Sequence, residues 1–106
     1  MNACIQIENW IREVDAIEYN GRPDCIMRMG ILVEDILREL TQQNTKMSGD
    51  LLELKNCCWT LHERFFLDTE EQLRWTFYHG RFRIKRSLNA LFETQKRREQ
   101  VHVTIQ

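Results

Sequence analysis

The chain has 106 residues, 42% of them hydrophobic and 29% charged, with four glycines and one proline. These proportions exclude a collagen-like repeat, a low-complexity chain and a disordered tail, and the length has room for one core in a single domain spanning 1–106. A formal net charge of −1 hides a division: residues 1–72 carry seven Lys/Arg against fourteen Asp/Glu, whereas residues 73–106 carry eight against two. The last third is a basic element on an acidic body. It either compensates that body internally or addresses an external partner.

No stretch runs eighteen residues without a charge, so no membrane span is expected. The opening MNACIQIENW has neither a basic n-region nor an apolar h-region. The expectation is therefore an intracellular chain, in cytoplasm or nucleus, with Cys4, Cys25, Cys57 and Cys58 as reduced thiols, since vicinal Cys57 and Cys58 point about 100° apart on a helix.

Over residues 3–19, Ile7, Trp10, Ile11, Val14 and Ile17 recur at spacings of three and four, the pattern of an amphipathic helix. Asn20-Gly21-Arg22-Pro23 interrupts it, with Gly21 suited to a left-handed turn and Pro23 to the first position of the next helix. That helix, about 24–43, carries two apolar stripes, Cys25, Met29, Leu32 and Ile36 beside Ile26, Val33, Leu37 and Leu40. Two stripes predict contact with two neighbours. Its segment 31–40 also has the leucine spacing of a nuclear export peptide, a match that any buried amphipathic helix produces.

Ser48 is the expected N-cap of a third helix over about 49–66, with a stripe of Leu51, Leu54, Cys58, Leu61 and Phe65 flanked by Leu52, Trp59 and Phe66, all expected to be largely buried. Asp68-Thr69-Glu70-Glu71-Gln72 is the clearest start signal: a cap followed by an acidic first turn. From there Leu73, Phe77, Gly80, Ile84, Leu88 and Leu91 keep helical register. A break at Gly80 is the alternative to one continuous helix over 69–99, with Gly80 admitting a close neighbour. The end, 100–106, is expected to fray, although its Val101-His102-Val103 alternation would also suit a strand on a partner's sheet edge.

A helix over 69–99 is about 46 Å long, against roughly 26 to 30 Å for the other three. Its far end, with Leu88, Leu91 and Phe92, is then expected to overrun the bundle and to need cover from a second copy, another protein or a bend that folds the end back. Trp75, Tyr78 and Phe82 form a second row at i, i+3, i+7. They either pack inside the bundle or anchor an interface, ringed by Arg74, Arg81, Arg83, Lys85 and Arg86. The same basic residues interleaved with aromatics would alternatively contact nucleic acid, with Lys96-Arg97-Arg98 as a distal basic end, but no zinc-finger spacing, RRM signature or GXXG loop accompanies them.

Chemistry is weakly represented. Cys58 and His62 stand at i, i+4, a spacing able to supply two zinc ligands, but no second ligand pair occurs, and a core cysteine beside a rim histidine is the expectation. Neither a Gly-rich phosphate loop, a nucleophile elbow nor HExxH is present. The sequence therefore predicts an all-α, four-helix antiparallel bundle with a long basic C-terminal helix, acting without enzymatic activity, cofactor, metal, membrane or small-molecule substrate. Its expected role is protein interaction, first as a homodimer or adaptor through the last helix, with nucleic-acid binding as the alternative.

Overall fold

The computed structural model describes residues 3–43, 49–64 and 69–105. Four helices make up nearly all of them: α1 (Ala3–Ala16), α2 (Pro23–Gln42), α3 (Gly49–Arg64) and α4 (Glu70–Ile105). The described residues contain no strand. The expected Ser48 cap, Phe65, Phe66 and Asp68 lie outside them.

Local signals set the helix ends. Gly21 has φ +75°, where a Cβ is strained, and lets the chain turn from α1 into α2. Pro23 then opens α2, with Asp24 in the first turn near the positive helix end. At α4, Thr69 and Gln72 form a reciprocal capping box: the Gln72 amide donates to Thr69 Oγ1 at 3.3 Å and Gln72 Oε1 accepts from the Thr69 amide at 2.8 Å. α1 is shorter than its periodicity implies. It ends at Ala16, after which Tyr19 leaves the helix to pack at a tilt against Phe77 and Tyr78 at centroid distances of 5.4 and 5.7 Å.

The core joins Ile7 and Val14 of α1 to both stripes of α2, to Leu51, Leu54, Cys57 and Leu61 of α3, and to Leu73, Phe77, Ile84 and Leu88 of α4. α4 packs against all three other helices. It is unbroken at Gly80, where an added Cβ would stand 3.3 Å from Leu61 Cδ2, so the missing side chain admits α3 closely. Gly30 plays the same part between α2 and α3, beside the His62 ring and Leu61.

Two expectations about α4 are corrected. It does not stop at residue 99 but runs as helix to Ile105, since neither glycine nor proline follows Gly80 to end the ladder. Nor does the 88–92 region stand uncovered, because α1 lies along that half of the helix. Ile17 meets Arg81, Asp15 meets Lys85 and Cys4 meets Glu99, so α1 supplies the cover assigned to a partner or a bend. Leu88 is fully buried, and Leu91 and Phe92 are half-buried against the core.

At 36 residues α4 is about 54 Å long, which matches the molecule's longest dimension of 55 Å. The radius of gyration, 15.0 Å, exceeds the roughly 13 Å of a compact domain of this length for the same reason. Among the described residues no helix is long and apolar enough to cross a membrane.

A further correction concerns α3. Leu52 and Trp59, expected in the core, are exposed, Trp59 at 72%. Only two sides of α3 are taken: Cys58 and His62 face α2, while Cys57 and Glu53 face α4. Leu52 and Trp59 lie on neither. Of the two α3 thiols, Cys57 rather than Cys58 is therefore the enclosed one.

Candidate interaction face on the last helix

The outer face of α4 lies between the flank met by α1 and the flank met by α3. Glu71, Trp75, Tyr78, Phe82, Arg86 and Asn89 follow one another at steps of three and four, and all six are exposed. The aromatic members stand 58%, 51% and 59% exposed. Such exposure excludes their packing inside a single bundle and leaves a contiguous apolar row on the surface.

The row is braced from below. Tyr78 meets Phe77 edge-on at 5.2 Å and packs beside Tyr19, whose hydroxyl donates to the Glu70 carbonyl. The Trp75 ring stacks on His79 with centroids 4.4 Å apart and planes 18° from parallel. Arg86 lies over Phe82 at 5.6 Å, and Arg74 over Tyr19 at 5.8 Å. These contacts hold the rings in place while leaving their outer faces open, which lowers the conformational entropy lost when another surface covers them.

The basic rim is largely engaged with the chain itself. Arg83 Nε donates to Glu53 Oε1 at 2.7 Å, Arg86 reaches the same oxygen at 3.7 Å, and Lys85 Nζ pairs with Asp15 at 2.9 Å. The Arg81 guanidinium donates to the Ile17 carbonyl and lies over the Phe77 ring at 4.6 Å. The Arg83 hydrogen bond holds the Glu53 carboxyl below its ordinary range, and Glu53 in turn raises Arg83. Of the five cations expected around the aromatics, Arg74 and Arg86 remain exposed beside the row, whereas Arg81, Arg83 and Lys85 are part-buried and join α4 to α1 and α3.

Of the expected anchors, Trp75, Tyr78 and Phe82 share this face; Leu88, Leu91 and Phe92 do not, for Leu88 lies in the core and Leu91 and Phe92 pack against it. Tyr19 and Glu71 belong to the site although periodicity did not single them out. Tyr19 sits directly before the Asn20-Gly21 turn, where a helix-based pattern places no function. Glu71 was already accounted for by the helix end.

The two α3 thiols are pushed away from the thiolate form. Burial pushes Cys57 and Cys58 upward, Cys58 with help from Glu34, while Cys58 Sγ lies 3.8 Å from the Gly30 carbonyl and His62 Nε2 lies 3.7 Å from Glu34. No cluster of three metal-ligating side chains occurs among the described residues. The chain matches no protein-family model, and no curated protein or solved structure is significantly similar to it.

Proposed function

We propose that this protein is a non-enzymatic helical interaction module, an antiparallel four-helix bundle whose long basic last helix docks a protein partner through Trp75, Tyr78 and Phe82. The observation that carries this reading is the contiguous row of three aromatics, each more than half exposed and braced by its neighbours. Aromatic and Arg side chains provide most of the energy of protein interfaces once enclosed. An antiparallel arrangement is favoured by paired positions that run oppositely along the chain, Cys4 with Glu99 and Ile17 with Arg81, Leu61 beside Gly80 and Glu53 with Arg83.

Nucleic-acid binding through Arg81, Arg83, Lys85 and Arg86 is less well supported, because all four already meet internal acceptors, Arg86 most loosely at 3.7 Å from Glu53. Releasing them to phosphates would expose Glu53 and Asp15 beside the nucleic acid.

Light scattering over a concentration series tests the module, comparing wild type with the Trp75→Ala/Phe82→Ala variant. The expected result is a wild-type mass that rises with concentration and a folded variant held at the monomer mass. Equal association by both proteins would contradict the reading. Steep loss of association to a nucleic acid with added salt, without self-association, would favour the alternative.

A further inference from the structure

The charge on the exposed face of α4 is not uniformly basic; it is bipolar, and its two ends are equidistant from the aromatic centre. About a point midway between Tyr78 and His79, Trp75 and Phe82 are symmetric positions, and so are Glu71 and Arg86. All four are exposed and fall on one side of the helix.

We infer that this face pairs with the same face of a second copy, the two α4 helices running antiparallel about a two-fold axis midway between Tyr78 and His79. Trp75 of each copy then meets Phe82 of the other, and Glu71 of each meets Arg86 of the other. This inference rests on the interaction-module reading and specifies its partner and register. A two-fold contact requires a self-complementary patch, in which the surface on one side of the axis fits the surface on the other. A parallel pairing sets Glu71 on Glu71 and Arg86 on Arg86, with like charges at both ends. A uniformly acidic partner would meet repulsion from Glu70 and Glu71 at one end of the stripe. The partner that fits is bipolar and reversed, as a second copy is.

The size of the patch sets the strength. Aromatic side chains bury about 150 to 250 Å² each when enclosed, and these are already near half-covered, so the six rings of a pair contribute roughly 600 Å². Small stable interfaces bury about 1,200 Å², which leaves the other half to the flanking Glu71, Arg74, Arg86 and Asn89. A patch of this size fits a reversible dimer rather than an obligate one.

Sedimentation equilibrium at low salt on the full chain tests the register, with Glu71→Arg, Arg86→Glu, the Glu71→Arg/Arg86→Glu double variant and Trp75→Ala/Phe82→Ala beside wild type. The pairing predicts a wild-type dimer, a loss of about tenfold in affinity for each single charge variant, and recovery to near wild type in the charge double, which restores both ion pairs with reversed sign. Recovery also excludes misfolding as the cause of the single losses, and Glu53 retains Arg83 when Arg86 is changed. Association abolished by Trp75→Ala/Phe82→Ala but indifferent to the charge variants overturns the antiparallel register and leaves the aromatic face as the docking surface. Association that survives the aromatic variant overturns both. A wild type monomeric at millimolar concentration overturns pairing between copies.

Discussion

Glu53 shows how one side chain decides what the basic residues of α4 can do. Its carboxylate receives Arg83 at 2.7 Å and lies 3.7 Å from Arg86, with Glu53 and Arg83 each about three-quarters covered. Partial desolvation makes the charge-assisted bond stronger than an exposed pair and makes its loss costly, because Arg83 would be left facing α3 without a counter-charge. Glu53→Gln is expected to lower stability at neutral pH by roughly 1 to 2 kcal/mol. Because folding depresses the carboxyl, the wild-type advantage is present above the unfolded pKa and is lost as pH falls through the lower, folded value. Urea unfolding of both proteins from pH 7 down into the acid range checks this; a difference constant across that range would contradict it.

Helix boundaries and helix faces differ in how far the chain discloses them locally. Thr69 and Gln72 are four-residue neighbours whose capping box needs nothing from the rest of the fold, which is why the start of α4 was legible. Thr69→Ala is expected to cost about 1 kcal/mol, read as a lower urea midpoint with unchanged slope. No loss would mean that tertiary packing alone places that end. The buried stripes of α2 and α4 were equally legible, since spacing of three and four identifies a face whatever covers it. What spacing does not convey is which neighbour covers it and how far along. Trp59 and Leu52 stand in good helical register, yet α2 and α4 occupy other sides of α3. Leu88, Leu91 and Phe92 looked uncovered because the last helix is longer than each of the other three, whereas α1 lies along the distal part of α4. The aromatic row was legible as a row, and its openness to solvent became decidable only once the positions of α1 and α3 were known.

At the scale of the whole molecule, one helix as long as the protein carries the division between acidic and basic residues. Its inner surface is held by α1, α2 and α3, with Arg81, Arg83 and Lys85 joining the basic helix to acceptors on the acidic body. Part of the charge contrast is thereby compensated within the chain, through the pairs with Glu53 and Asp15. The outer surface presents an aromatic row with an acid at one end and a base at the other, a composition suited to selective contact with a reversed copy. The isolated fold is expected to depend little on the outer row, and the assembled state to depend on it heavily.

The most direct measurement of that claim is hydroxyl-radical footprinting of the wild-type protein across a concentration series, with mass-spectrometric readout of individual side chains. Trp59 on α3 serves as the internal reference, being more exposed than any ring of the row. The account predicts that Trp75, Tyr78 and Phe82 become protected together as concentration rises while Trp59 keeps its rate of oxidation. Protection of Trp59 with the α4 row unchanged, or no protection anywhere while the solution mass increases, would contradict it.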